Sequence, residues 1–303
     1  MEQFTEAGKP SKRRKKVLLR ILLTLLALFL VCAIIVGISV YVCSSGLAVH
    51  SYDVTIDRIE QPFTAVLLTD LHGKEFGEGN AELLEKVREQ TPDVIFCVGD
   101  MIDESADDAE VGRFCSLLKK LGEIAPVYTA YGNHEQSYMK KSGRDLAPQI
   151  AETGAVLFDE ACDTVEIAGN RICLGGTLGH LYLFGRTREQ YWNSREVLLM
   201  QEMEASGLPT IVLAHLPDTI IFCKAYKDWD IDLFLSGHTH GGIIRIPFVG
   251  GLYAPMQGYF PDEDMGYYNY GRVQLVISSG LAGYGRIPRI FNMPEVCVLH
   301  ISG

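Results

Sequence analysis

The sequence predicts an α/β domain that follows one transmembrane helix. Two observations support this prediction. Residues 21–42 form an apolar block without a charged side chain, and beyond it apolar runs alternate with helical patterns. A helix over the block rises about 33 Å, enough to cross a hydrocarbon core of roughly 30 Å. We therefore divide the 303 residues into a basic cytoplasmic tail (1–20), a transmembrane anchor (21–43) and one domain (50–303).

Basic residues flank the apolar block on its N-terminal side. Residues 1–20 contain seven Lys and Arg, and none follows the block before Arg58. The positive-inside rule then places the N-terminus in the cytoplasm and the domain outside the cell membrane. A signal peptide cleaved near Gly46-Leu47-Ala48 is the alternative, and Arg13-Arg14 weakly matches a twin-arginine signal. Because signal peptides normally have apolar regions of only about 7–15 residues, we expect an uncleaved anchor.

The charge of the chain argues against one class of partner. Residues 21–303 contain 20 Lys and Arg against 36 Asp and Glu, a formal charge of −16. Nucleic-acid binding depends on basic side chains that neutralise phosphates, so we expect no nucleic-acid partner. Bound cations would instead attract an anionic substrate. The sequence makes no prediction about oligomeric state.

The eight cysteines allow two interpretations. In an exported domain they suggest disulfides. However, Cys97, Cys173 and Cys297 lie within apolar, strand-like runs, where a free cysteine usually behaves as a small buried hydrophobe. We favour structural thiols.

Periodicity locates the strands and helices of the domain. One helix begins near Asn80, and a second carries apolar residues at helical spacing from Val111 to Leu121. Further segments that resemble sheet are 165–174, 273–278 and 296–301. The predicted buried strands are 63–69, 93–98, 126–130, 210–214 and 231–235.

Polar side chains follow all five buried runs where each run ends. The carboxyl ends of strands line the ligand crevice of an open α/β sheet, so these side chains are expected to converge. Oxygen and imidazole donors without a thiolate suit Mn, Fe, Zn or Mg. The motifs are Asp70-Leu71-His72, Gly99-Asp100 with Asp103, Gly132-Asn133-His134-Glu135, His215, and Gly237-His238-Thr239-His240.

Each motif has a plainer interpretation when taken alone. A strand followed by Asp-x-His or Gly-Asp is often only a solvated turn. Asn133 could cap a helix, and a histidine such as His215 on an apolar run is more often part of the core. Two histidines among glycines, His238 and His240, suit neither a helix nor a packed core. All five motifs in order favour a metal cluster.

The ordered motifs DxH, GDxxD, GNHE, a strand-end His and GHTHGG resemble the calcineurin-like metallophosphoesterase superfamily. The segments GHTHGGIIRIPFVGGLYAP and SSGLAGYGRIPRIFNMPEVCVL are similar to its membrane-linked bacterial phosphodiesterase branch. The resemblance covers the whole predicted domain. It implies a four-layer-type β-sandwich flanked by helices, the metallophosphoesterase fold. It also implies a hydrolase of phosphate esters that uses two divalent metal ions.

The resemblance implies a role for each motif residue. His134 would not be a ligand but would contact the phosphoryl group and assist the leaving oxygen. Glu135 stands where Asp is frequent, and Thr69 replaces a common Ser; neither is expected to be a ligand. The implied metal ligands are Asp70, His72 and His240 for one ion, Asn133, His215 and His238 for the other, and Asp100 as the bridge.

Three further expectations concern the surroundings of the site. Arg286 and Arg289 are candidate phosphate contacts, although loop arginines are more often solvated. The aromatic segment 245–270 is either a rim around the substrate or a packed hairpin. Placement at a membrane favours a phosphodiester or pyrophosphate bond in an envelope or lipid-linked substrate.

Two alternatives to the hydrolase belong to other functional classes. One is a non-catalytic metal- or ligand-binding module anchored in the membrane, which would be expected to lose ligands; here all seven are present. The other is a metal store, which would need no acid such as His134 beside the cluster.

Overall fold

A single long helix precedes the domain. The computed structural model describes residues 12–179, 194–223, 227, 229–285 and 287–303. Helix α1 (Lys12–Ser45) contains the whole apolar block and is long and apolar enough to cross a membrane. Its apolar side chains are exposed, whereas Ser39 and Cys43 are buried near its C-terminal end. A signal sequence near the N-terminus can also be long and apolar enough to meet this criterion, so the retained anchor stays a prediction.

The first of two six-stranded sheets begins three residues after α1. Its spatial order is β1 (Ala48–Thr55), β16 (Glu295–Ser302), β2 (Phe63–Leu68), β3 (Val94–Val98), β4 (Val127–Ala130) and β5 (Val156–Phe158). Strands β2 to β5 run parallel to one another, and β1 and β16 run antiparallel to them.

The second sheet has four parallel strands between two antiparallel edge strands. The predicted segment 165–174 is a hairpin that joins two of its strands through Ala168 and Gly169, both with positive φ. The spatial order is β14 (Gly266–Asn269), β15 (Gln274–Ile277), β9 (Leu233–Ser236), β8 (Thr210–Ala214), β7 (Asn170–Thr177) and β6 (Ala161–Ile167).

Three apolar cores define four layers. Side chains from both sheets, such as Phe96 and Leu235, form the central core, so the sheets pack face to face. Apolar faces of α2 (Ala81–Glu89), α3 (Asp108–Gly122), α4 (Asn133–Ser142) and α5 (Ala147–Glu152) cover the first sheet. Helices α6 (Arg195–Ala205) and α7 (Asp218–Cys223) cover the second. This helix–sheet–sheet–helix arrangement confirms the predicted fold class.

Between β9 and β14 the chain forms two small hairpins. The first pairs β10 (Arg245–Ile246) with β11 (Gly250–Gly251), and the second pairs β12 (Tyr253–Ala254) with β13 (Gly258–Tyr259). The aromatic segment is therefore built from hairpins, although several of its side chains are exposed rather than packed.

The cysteines agree with the interpretation as thiols. The seven cysteines whose side chains are described are free, and Cys97, Cys173 and Cys297 are buried in their strands.

Candidate metal centre

The predicted ligands lie on the turns that follow β2, β3, β4, β8 and β9. These strand ends meet where the two sheets face each other, as expected for a ligand crevice. Five predicted ligands have a left-handed backbone with φ between 45° and 69°, which turns the chain sharply out of each strand. Asp and His adopt this conformation more readily than most non-glycine residues, and strained backbone of this kind clusters at functional sites. The five ligands are Asp70, His72, Asp100, His238 and His240.

Glycines allow the turns to approach one another. A Cβ on Gly132 would lie 2.2 Å from Asp100 Oδ1, and one on Gly237 would lie 2.4 Å from Asp70 Oδ2. Only glycine fits at these two positions, because a real Cβ never comes so close to another heavy atom.

The first group of donors consists of Asp70, His72 and His240, whose ligand atoms lie within 4.8 Å of one another. Asp70 Oδ1 is 4.0 Å from His72 Nε2 and 3.6 Å from His240 Nε2. Two imidazoles and one carboxylate at these separations could hold one divalent ion.

Asp100 lies between this group and a second one. Its Oδ2 is 3.1 Å from His215 Nε2 and 3.8 Å from His72 Nε2. Asp100, His215 and His238 form the second cluster of mutually close donors. The carboxylate therefore contacts histidines of both groups, as a bridging ligand must.

Unpaired donor atoms converge on the same space. Four predicted ligands have a solvent-shielded polar atom without a hydrogen bond: His72 Nε2, Asn133 Oδ1, His215 Nε2 and His238 Nε2. Leaving such atoms unpaired costs about 1–3 kcal/mol each. Bound cations would satisfy all four, so the residues present fit a metal cluster.

The other ring nitrogen of two histidines is held by the backbone. His215 Nδ1 lies 2.8 Å from Val98 O, and His240 Nδ1 lies 3.3 Å from Ala282 O. A carbonyl oxygen can only accept, so in the neutral ring Nδ1 carries the proton and the lone pair of Nε2 points into the cluster. Histidines that bind metals commonly have this arrangement.

The electrostatics of the cluster favour metal binding. Burial lowers the pKa of His238 to about 3 and that of His240 to about 4, so both rings are neutral at pH 7. Burial also opposes the charged forms of Asp100 and His215. Nevertheless, His215 holds the pKa of Asp100 below its usual range, and Asp100 raises the pKa of His215 to about 10. The carboxylate thus attracts positive charge at this position.

The comparison with known families agrees with this geometry. Residues 63–242, more than half of the chain, match the family described as calcineurin-like phosphoesterase. The chain belongs to this family. The sequence-based recognition is therefore confirmed.

Three relatives illustrate the range of this phosphoesterase family. The uncharacterized metallophosphoesterase Cj0846 of Campylobacter jejuni is 31% identical over 84% of this chain, which spans 63% of that protein's length. Phosphodiesterase YaeI of Escherichia coli is 32% identical over 65% of this chain and 67% of its own length. UDP-2,3-diacylglucosamine pyrophosphatase LpxG of Chlamydia muridarum is 35% identical over 30% of this chain and 29% of its own length.

His134 is positioned as a hydrogen-bond donor beside the cluster. Its backbone N–H donates to Asp100 Oδ1 (2.8 Å), and its Nδ1 accepts from the backbone N–H of Glu104 (3.1 Å). In the neutral ring the proton then resides on Nε2, which lies 3.9 Å from Asp100 Oδ2. Because Nε2 carries a proton, it is better suited to donate to a substrate than to bind a metal.

A cavity of about 610 Å³ adjoins His72 and His134. Lys74 and Tyr284 line its walls, and the Tyr284 ring lies 5.5 Å from that of His240. Burial, aided by Arg289, lowers the pKa of Lys74 to about 8. Sequence reasoning missed Lys74, whose one signal was its place two residues after His72.

Of the two arginines predicted to contact phosphate, the structure describes only Arg289. Arg286 lies outside the described residues. Arg289 is buried and does not line the cavity. Its guanidinium donates to the carbonyls of Ser279, Gly280 (3.1 Å) and Ala282 (2.8 Å), and so holds the turn that packs against Asp70.

Glu135 has a role that sequence reasoning missed. Its buried carboxylate accepts four backbone hydrogen bonds, from Asp100, Met101, Ile102 and Gly132, at 2.7–3.0 Å. It therefore ties the turn after β3 to the start of α4. A Glu at the third position of a helix, where it accepts from the N-cap N–H, was the available signal.

Proposed function

We propose that the protein is a dinuclear-metal-dependent hydrolase of phosphate esters. The observation that supports this best is the position of Asp100, whose carboxylate contacts histidines of both donor groups and the backbone N–H of His134. The first ion would be held by Asp70, His72 and His240, and the second by Asn133, His215 and His238, with Asp100 between them.

The chemistry follows from this assignment. Two divalent ions would supply the positive charge that binds a phosphate and would activate a water molecule for attack. Nε2–H of His134 would donate to the phosphoryl group and then to the departing oxygen. Lys74, in the wall of the same cavity, would bind a non-bridging phosphate oxygen.

For the substrate we favour a phosphodiester or pyrophosphate bond in an envelope or lipid-linked molecule. The names of two relatives, a phosphodiesterase and a pyrophosphatase, support this class. Helix α1 supports it as well, since a single-pass anchor with a cytoplasmic N-terminus would hold the domain at the outer membrane surface.

A direct assay tests the proposal. The full chain, purified in detergent with Mn²⁺, is assayed on bis-p-nitrophenyl phosphate and p-nitrophenyl phosphate beside Asp100→Asn, His134→Asn and the exposed control His300→Asn. We expect both site variants to lower turnover at least about 100-fold. Metal analysis should show loss of metal in Asp100→Asn and two ions in His134→Asn. Absence of bound metal in the wild type, or full activity in both variants, would overturn the assignment.

A further inference from the structure

Exposed apolar side chains are concentrated on one part of the domain. Outside α1, the described residues include eleven exposed bulky hydrophobic side chains, and eight of these lie within residues 248–291. We propose that this region docks on the surface of the bilayer that α1 crosses. We define its lipid-contact face as Phe248, Val249, Tyr259, Phe260 and Phe291. The orientation rests on the proposed anchor.

The domain contacts α1 at a level within the apolar block. The backbone N–H of Phe291 donates to Ser39 Oγ (2.7 Å). Ser39 precedes the last residue of the helix by six positions, about 9 Å along the axis, and precedes the end of the block by three. A block that spans the hydrocarbon core therefore places Phe291 at its outer boundary, not above the headgroups.

An apolar groove continues this contact. Ile35, Ile38 and Val42 of α1 face Phe291 and Met293 of the domain across it. Among the described residues, those that line the groove carry no charge. At this depth it would be filled by lipid acyl chains.

The first hairpin is attached to the same segment. The Arg245 N–H donates to Ile290 O (2.9 Å), directly before Phe291. At its tip the Phe248 side chain is fully exposed, and Val249 is 64% exposed. Exposed Phe and aliphatic side chains are typical of the apolar face by which interfacial elements enter the headgroup/acyl boundary.

The second hairpin is bonded to the first. Leu252 N–H donates to Ile244 O (2.7 Å), and Phe260 N–H donates to Leu252 O (2.9 Å). Residues 246–261, which contain both hairpin tips and all of the second hairpin, have no charged side chain. Arg245 at the start of the first hairpin is paired with Asp264 (2.7 Å). The attraction expected of this surface is therefore hydrophobic rather than electrostatic.

Backbone strain supports the same interpretation. Phe248, Met256, Phe260 and Phe291 all have φ between 52° and 67°, a region that bulky residues rarely occupy. All four side chains are exposed, so packing within the domain does not compensate this strain. Backbone hydrogen bonds of Phe260 and Phe291 instead hold two of these turns so that their side chains point away from the domain.

The face adjoins the proposed catalytic cavity. Tyr284 lines that cavity, and the Ile287 N–H donates to Tyr284 O (3.0 Å). The described residues 284–285 and 287–293 thus lie between the proposed metal centre and α1. Docking would place the mouth of the cavity at the level of the lipid headgroups. This position favours amphipathic substrates whose apolar part stays in the bilayer. This consequence also depends on the proposed hydrolase activity.

Quenching by brominated lipids tests the docking itself. The full chain is reconstituted in phosphatidylcholine nanodiscs with or without acyl-brominated phosphatidylcholine, and the fluorescence of the wild type is subtracted. The variants are Phe248→Trp and, as a control, Val156→Trp. Val156 is also exposed (47%) but lies on β5, at the opposite sheet edge from β1 and about 24 Å from that strand. We expect at least twofold quenching of the added tryptophan at position 248 and none at 156.

Activity gives a second, separate readout. In the same discs, the double variant Phe248→Asp/Val249→Asp should lower turnover of an embedded phospholipid phosphodiester at least fivefold. Its turnover of the soluble substrate bis-p-nitrophenyl phosphate should be unchanged. The control variant Val156→Asp should turn over both substrates at the wild-type rate. Equal quenching at positions 248 and 156 would overturn the docking. It would also be overturned if each disc held two chains and the second copy shielded position 248 from the brominated lipid. If no substrate is turned over while quenching persists, the proposed hydrolase fails but the docking stands.

Discussion

The carboxylate of Glu135 accepts a 2.8 Å hydrogen bond from the backbone N–H of Asp100. The same oxygen accepts from Gly132, and the other oxygen accepts from Met101 and Ile102. The two donors to the first oxygen belong to turns that carry proposed metal ligands: Asp100 is the proposed bridge, and Gly132 precedes Asn133. One buried side chain therefore fixes the distance between two ligand turns.

Glu135→Gln tests this bracing. The amide nitrogen of Gln would face backbone N–H donors that now bond to a carboxylate oxygen, which leaves buried donors unpaired at about 1–3 kcal/mol each. We expect weaker metal binding and at least tenfold lower activity, measured by metal analysis and phosphodiester assay.

A matched substitution separates bracing from a general loss of charge. Glu110→Gln removes a carboxylate that accepts one hydrogen bond from the same turn, at the Asp103 N–H (2.7 Å). This substitution changes only one hydrogen bond, and a neutral hydrogen bond is worth roughly 1 kcal/mol or less. The variant should therefore keep its metals and have an activity within about twofold of the wild type. If both variants behave alike, Glu135 has no special role in holding the turns.

The ligand motifs were predictable because each is local. A buried strand followed at once by Asp, His or Asn is visible in a few consecutive residues, and the strand-end rule brings such motifs together. The role of Glu135 was not predictable in this way, because it joins residues up to 35 positions apart. Arg289 shows the converse: a loop arginine suggested a phosphate contact, yet its guanidinium bonds backbone carbonyls that only the folded turn presents.

Lys74→Met tests substrate binding in the cavity. Lys74 Nζ lies 4.2 Å from the centroid of the Phe76 ring, so the side chain is held beside the cluster. Loss of a charge-assisted contact to phosphate costs about 1.5–3 kcal/mol, or at least tenfold in affinity. We expect KM to rise about tenfold with a smaller change in kcat. The exposed Lys119→Met on α3 should leave KM unchanged, and an unchanged KM in Lys74→Met would remove Lys74 from the substrate site.

Metal removal should destabilise the domain. Asp70 and Asp100 are both buried in one cluster with their pKa values held below the usual range, so two carboxylates lie close together in the interior. His238 and His240 beside them are neutral at pH 7 and supply no compensating charge. An ion present at 100 times its Kd adds about 2.7 kcal/mol to stability. We expect a chelator to lower the Tm of the wild type by several degrees and added Mn²⁺ to restore it. The Tm of Asp100→Asn should respond far less; an equal response would place the stabilising ion elsewhere.

A last prediction concerns pH and the junction between α1 and the first sheet. His50 Nδ1 on β1 lies 3.6 Å from Oε1 of the buried Glu295 on β16, whose other oxygen accepts from Ser279 N–H (2.8 Å). The interaction with Glu295 raises the pKa of His50 above 6.5, although burial opposes this. Stability from this pair is thus fully present below about pH 6.5 and is lost as pH rises through the folded-state pKa.

His50→Gln should therefore destabilise the protein more at pH 5.5 than at pH 8.5. The difference should stay below about 1 kcal/mol, because the imidazole is 46% exposed and solvent screens the pair. Urea denaturation of the full chain in detergent at both pH values measures it, with the exposed His300→Gln as control. The same loss at both pH values would mean that His50 stabilises β1 by packing alone. In that case the carboxylate of Glu295 acts through the turn at Ser279. This turn continues into Gly280, which packs against the proposed metal ligand Asp70.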